Sequence, residues 1–393
     1  MKRAAIIIAA ACCLACTGAQ KPLSEQVVRS QMQRTGGDPM YLDYREGEFK
    51  WNYTPGLELD AYLDIYDAYG DGEILEYVLK WYDAAVNEDG SINTYSADKY
   101  SVDLVCPGKS FFRLYDITGN EKYLKAADLL KSQLDSHPRT SEGALWHKLI
   151  YPHQIWLDGV YMAEPFLAEY AARRAEGEER EAIYKEIINE FLVAAAHTYD
   201  PETKLYRHAW DESRSMFWCN PETGQSDHCW GRALGWLCMA IVDVCEYIPE
   251  GFEGREQVLD ILRGIAAELP EWADPESGVW YQVLDRPGRE GNYLESTCSA
   301  MFAYALLKGV RMGWLDAGLE QYARDTYNNV LKAFVTADEE GLLSLHNCCS
   351  VGGLGGKQMR RGDYEYYLSE PVRNNDSKGI CPLVRAALEM EKR

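Results

Sequence analysis

The sequence predicts an all-α fold, an (α/α)6 barrel: a toroid of six helical hairpins with short strand pairs or loops at one mouth. Three observations predict it. Apolar residues recur at helical spacing almost throughout the 393 residues. The helical segments pair through short links that look alike. The connections between pairs are long and irregular, unlike a solenoid of fixed period.

In chain order the spacing predicts helices over 22–36, 57–70, 72–87, 103–117, 120–136, 158–174, 178–198, 231–247, 254–272, 295–312, 316–336 and 376–391. The links "YGDGEILEYV", "TGNEKYLKAA", "AEGEEREAIY" and "EGFEGREQVL" each supply a Gly to end one helix, then acids for the positive start of the next. The runs "GALWHKLIY", "KLYRHAW" and "GVWYQVL" suit small strand pairs or ordered loops. Twelve helices make six hairpins, and closing them into a ring removes exposed ends. The first helices of the pairs start at Leu57, Asp103, Asp158, Gly231, Glu295 and Asp376, 46 to 81 residues apart. An open solenoid, the alternative, would keep its period.

The first residues, "MKRAAIIIAAACCLACTGAQK", read as a secretion signal: Lys2 and Arg3, then an apolar run ending in small residues. The run is too short for a stable membrane span. Residues 1–16 are therefore the expected leader, and 22–393 a single barrel domain. "CLAC" also suits lipoprotein processing, with Cys16 as the lipidated first residue, although Cys13 stands three places before it where Leu is usual. Either route puts the protein outside the cytoplasm, periplasmic or attached to the outer membrane.

A formal charge of −22 argues against nucleic-acid binding. It leaves room for an anionic substrate held by a local Arg or Lys. Nine of the twelve Cys lie beyond the leader without framework spacing, so no disulfide scaffold is expected. With no HExxH, no paired Cys/His spacing and no calcium loop, no protein metal site is expected, and no cofactor is implied.

In a ring of parallel inner helices the six first-helix starts share one mouth. The residues there read "WNYTPG", "KYSVD", "PHQIWLD", "SDHCWGR", "GNYLES" and "RNND", so rings, carboxylates and Arg232 converge without being adjacent in sequence. Asp103 and Asp158 occupy equivalent places on neighbouring hairpins. Asp is a favoured N-cap, and either acid alone reads as one. Trp156 beside Asp158 points further: a cap needs no Trp, whereas a proton donor benefits from an apolar wall that favours the neutral carboxyl. Trp156, Trp230 and Trp236, at or near these starts, are the candidate sugar-contacting rings.

Four segments, "LWHKLIYPHQIWLDGVYMAEPFLAEYA", "YRHAWDES", "CWGRALGW" and "YEYYLSEPVRNNDSKG", together resemble the unsaturated rhamnogalacturonyl hydrolases, glycoside hydrolase family 105. The resemblance covers nearly all of the chain after the leader, and the family fold is an (α/α)6 barrel. It implies removal of a 4,5-unsaturated uronic acid from oligosaccharides that polysaccharide lyases leave. By motif, Asp158 in "WLDG" resembles the general acid/base, and Asp103 the second acid. His208 resembles a sugar-contacting histidine, and Trp230, Arg232 and Trp236 the aromatic–Arg–aromatic segment. Tyr53 and Lys148 match more loosely. Ala233 and Leu234 follow Arg232 where the family has Trp-x-Arg-Gly, which changes the shape beside the guanidinium.

The chemistry implied needs one main carboxyl. The substrate carries a vinyl ether that can be protonated on carbon four, after which water adds at carbon five and the hemiketal opens. Three other readings stand beside this one. An unsaturated glucuronyl substrate from ulvan or arabinogalactan is the close alternative, and a non-catalytic surface glycan binder has no need of the acid pair. A sugar epimerase on the same ring would need paired His bases, which His147, His153, His208, His228 and His346 do not supply at matching positions.

Overall fold

The computed structural model describes residues 21–392. The leader, with Cys13 and Cys16, lies outside them. Thirteen α-helices occur among the described residues: α1 (Leu23–Arg34), α2 (Tyr53–Tyr69), α3 (Gly72–Ala85), α4 (Phe111–Thr118), α5 (Lys122–Asp135), α6 (Leu157–Arg174), α7 (Gly177–Thr198), α8 (Gly231–Val244), α9 (Arg255–Trp272), α10 (Ser296–Arg311), α11 (Glu320–Phe334), α12 (Tyr364–Ser369) and α13 (Ser377–Glu391). All twelve expected helices are present, and α12 is an addition.

The ring closes. Inner helices α6, α8, α10, α13 and α2 pack each on the next, and the short 3-10 segment Cys106–Ser110 ahead of α4 fills the sixth place between α2 and α6. Five outer helices pack on the inner helix that precedes them in sequence; the sixth, α1, packs on α13 from the opposite end of the chain. Ser24 backbone N–H donates to Glu391 at 3.0 Å and the Tyr69 hydroxyl donates to it at 2.8 Å, fastening that seam.

Gly70 and Gly119 end α2 and α4 in the left-handed conformation, and Asp71 caps α3 by accepting from Glu73 N–H. The helix expected over 103–117 begins instead as two 3-10 turns, Val102–Leu104 and Cys106–Ser110. Pro107 has no N–H for an α-helical bond, so regular helix starts only at Phe111.

Four two-stranded antiparallel ribbons decorate the ring: β1 (Gln154–Trp156) with β4 (Ala209–Asp211), β2 (Tyr199–Asp200) with β3 (Leu205–Tyr206), β5 (Val335–Ala337) with β6 (Leu343–Leu345), and β7 (Cys348–Cys349) with β8 (Val372–Arg373). "KLYRHAW" thus supplies strands, while "GVWYQVL" makes only isolated bridges such as Trp230↔Val283.

The ring axis is filled in layers. Below the mouth, Trp236 of α8 stacks on Tyr161 of α6 at 4.8 Å. Deeper, Arg385 of α13 binds Asp60 of α2 at 2.5 Å and Asp243 of α8 at 3.2 Å, with Lys109, Tyr161 and Lys308 completing the cluster. Every one of the six inner positions contributes to this plug. At the rear end, where the inner helices finish, it borders a cavity of about 390 Å³.

Candidate active site

The mouth brings the sequence-predicted residues onto one set of elements. Register Trp156↔Ala209 between β1 and β4 sets Trp156 beside His208, and Leu157 N–H donates to the His208 carbonyl at 3.1 Å. The chain then turns straight into α6, whose N-cap position is Trp156 with no side-chain cap. Asp158 is in the first helical turn and caps nothing. Asp103, in the turn Val102–Leu104, also makes no cap bond. By contrast Glu295 caps α10, accepting from Cys298 N–H at 2.7 Å, and Asp376 caps α13, accepting from Lys378 N–H at 3.0 Å. Four acids at one mouth thus divide into two caps and two groups free for other work.

Asp158 Oδ2 lies 3.0 Å from His208 Nε2, a distance typical of an ion pair; the ring N–H points off the oxygen, so the contact is not a formed hydrogen bond. Asp103 pairs with Lys148 and has His147 Nε2 at 3.6 Å. Burial pushes the Asp103 carboxyl up, but Lys148 outweighs it, and Asp103 sits below the ordinary carboxylate range. Burial also pushes the His147 imidazole down, to about 3, so it is neutral at physiological pH. His147 feels the charges of both Asp103 and Asp158. So does the Tyr53 phenol, raised by burial and by both acids and lowered by Arg232. Tyr53, the first residue of α2, thus lies within electrostatic reach of Asp103, Asp158 and Arg232.

His147 is the site residue that sequence reading passed over. Its ring stacks on Trp156 at 4.4 Å, and Tyr151 stacks on the same indole at 4.8 Å. His147 and Tyr151 are 6.3 Å apart, closer than the roughly 7 Å that rings on opposite faces would require. They tile one face of Trp156 side by side. Gly159 is required there: a Cβ on it would meet His147 Nδ1 at 2.9 Å. The "Asp-Gly" of "WLDG" is thus an acid followed by the gap that admits an imidazole.

Several rings expected to touch sugar are walls instead. Trp156 is 4% exposed and Trp230 and Trp236 1% each. Trp236 belongs to the layer below, stacked on Tyr161. His208 has no exposed surface, because β4 and Trp230 enclose it behind Asp158, so the expected hydrogen bond from it to a sugar is replaced by contact with the acid. Trp230 is packed so closely that a Cβ on Gly352 would lie 2.4 Å from its ring. Its Nε1–H has no protein partner.

Arg232, in the first turn of α8, donates through Nη2 to Glu295 and Thr297 at 3.3 Å each and to the Cys349 carbonyl. Burial disfavours its charge, but Glu295 holds it cationic. Its Nε and Nη1 have no protein partner among the described residues, and both are buried behind the mouth. An anchored, buried guanidinium places a fixed positive charge beside the mouth.

Residues 23–393 match the description Glycosyl Hydrolase Family 88. A solved glycoside hydrolase from family 105 of C. acetobutylicum is 39% identical, with a TM-score of 0.89 over 95% of this chain and 100% of that one. The unsaturated rhamnogalacturonyl hydrolase YesR of Bacillus subtilis is 28% identical over 300 residues, 75% of this chain and 79% of its own. Protein Atu3128 of Agrobacterium fabrum is 38% identical over 237 residues, 58% of this chain and 97% of its own. Fold and likeness together define a glycoside hydrolase on a six-hairpin toroid. The chain belongs to the unsaturated glycuronyl hydrolases of glycosyl hydrolase families 88 and 105.

Proposed function

We propose that this enzyme removes a 4,5-unsaturated galacturonic acid from the non-reducing end of oligosaccharides in which rhamnose follows, the products of rhamnogalacturonan lyases. The observation that carries the reading is Asp158: a carboxyl in the first turn of α6, two residues after Trp156, that caps nothing and lies 3.0 Å from His208. The likeness to YesR supports the galacturonyl–rhamnose choice.

In this reading Asp158 gives its proton to carbon four, the ring double bond breaks, and an oxocarbenium ion centred on carbon five forms. Water adds at carbon five and returns a proton to Asp158. The hemiketal opens and the aglycone leaves, with the acid restored. Asp103, kept ionised by Lys148, stabilises the cation. Arg232, a buried cation in the first turn of α8, attracts the substrate carboxylate by its charge. Ordinary glycosidases set two carboxylates across an acetal; here Lys148 commits the second acid to charge stabilisation. In the same proposal the protein is exported, with Cys16 as the site of acylation.

The test is to incubate the protein with lyase digests of rhamnogalacturonan, ulvan and arabinogalactan, follow ultraviolet absorbance and identify the released sugars. Loss of absorbance with rhamnose newly terminal is the expected result. Preference for an unsaturated glucuronyl substrate would overturn the substrate assignment, and equal cleavage of saturated disaccharides would overturn the chemistry.

A further inference from the structure

Behind Asp158 stand two groups out of contact with solvent. His208 Nδ1 is 2.8 Å from the hydroxyl of Tyr367, which comes from α12, 159 residues along the chain. Tyr367 is held by Trp230, stacked at 5.9 Å. Its hydroxyl has no other hydrogen-bond partner among the described residues. Burial raises the phenol well above its ordinary value, so it keeps its proton. That proton has one acceptor in reach, Nδ1, and an imidazole that accepts at Nδ1 carries its own hydrogen on Nε2. Nε2 is the atom 3.0 Å from Asp158 Oδ2.

We propose that Tyr367 is a positioning residue that acts through His208 to keep the transferable proton of Asp158 on Oδ1, the oxygen toward the mouth. This rests on Asp158 being the acid. An N–H opposite Oδ2 requires that oxygen to accept, so a neutral Asp158 presents Oδ2 as its carbonyl oxygen and carries hydrogen on Oδ1. Burial agrees: Oδ2 has no exposed surface, while the Asp158 side chain keeps 14% exposure. The N–H axis passes beside Oδ2, and a turn of the carboxyl brings the two into line, an adjustment common when substrate is absent. During transfer the Oδ1–H bond breaks and a C–H bond forms at carbon four. The new carboxylate then meets the Nε2–H, and the proton from water restores Oδ1–H. The hydrogens on the Tyr367 hydroxyl and on His208 Nε2 stay in place throughout. Trp156 and Trp230 enclose the relay with rings; the other ionisable groups around it are His147, neutral on the far side of Trp156, and Tyr366, Asp285 and Cys229 around Tyr367.

Nitrogen NMR of the full-length protein labelled in histidine, with His208→Gln to assign the signal, tests the relay directly. Hydrogen on Nε2 of His208 is expected; hydrogen on Nδ1 in the wild-type protein would overturn the proposal. Tyr367→Phe removes one oxygen and keeps the ring. We expect kcat to fall about 10-fold with KM within 2-fold, and the His208 signal to move toward a tautomer mixture. Unchanged kcat with an unchanged tautomer would overturn it, since packing alone predicts that outcome. The wild-type tautomer is readable whether or not the Phe variant folds. An active Asp158→Asn protein would overturn the acid assignment separately, leaving the measured tautomer as it is.

Discussion

At the rear of the ring Asp60 is met by Arg113, Lys109 and Arg385, and Asp243 by Lys308, Arg385 and Tyr304. Each carboxylate lining the rear cavity lies within 4 Å of a cation. At the mouth Arg232 has Nε and Nη1 unpaired, Trp230 has Nε1 unpaired, and Asp158 Oδ2 and His208 Nε2 face one another without a formed hydrogen bond. Both ends bury charge on the same helices. The rear satisfies its charges internally and serves the ring; the mouth keeps buried polar atoms unpaired among the described residues. The 390 Å³ cavity is at the satisfied end, and the proposed acid is at the other.

The comparison breaks most sharply at Asp158. Asp158→Asn keeps shape and removes the proton, so turnover should fall by about 10²–10⁴-fold with the melting temperature nearly unchanged. Near-normal turnover in the folded variant would return Asp158 to a structural role. At the other end, Arg385→Met strips one cation from two buried carboxylates and should cost about 3–5 kcal/mol in urea unfolding. Activity per folded molecule should stay close to wild type, and an equal loss of both would erase the distinction between the ends.

Smaller effects sharpen it. His147 refuses a proton until about pH 3, whereas the unfolded chain takes one near 6.5. Its contribution to stability is therefore complete above pH 6.5 and is lost as pH falls through that window, at up to about 1.4 kcal/mol per pH unit. Unfolding midpoints of wild type and His147→Phe between pH 6.5 and 4 should diverge in slope; parallel curves would show His147 titrating normally. Lys148→Met removes the cation that holds Asp103 low, so the acidic limb of the kcat/KM profile should move to higher pH. An unmoved limb would separate Asp103 from the reaction.

Much of the ring was legible because its signals are local. Gly70 and Gly119 stop helices and Asp71 starts one, each within a turn of where it is read. The 3-10 entrance at 102–110 was not, since helical spacing of apolar residues outweighed Pro107 in the reading. Asp103, Asp158, Glu295 and Asp376 look alike in sequence, and only the fold separates the capping pair from the free pair. His147 and Tyr367 stand in the motifs "WHK" and "YEYY", but their partners, Trp156 and His208, are set by ribbon pairing and by contacts up to 159 residues away. Their proximity to Lys148 in one motif and to the mouth in the other was the available signal. Trp236 and His208 were placed one layer too far out because sequence position gives the turn of a helix or strand, not its depth.

The seam between α1 and α13 also sets an orientation. Ser24 meets Glu391, so α1 begins at the end of the ring where the inner helices finish, opposite the mouth. A tether running from α1 therefore leaves the ring at its rear, and the mouth stays at the far end of the molecule from it.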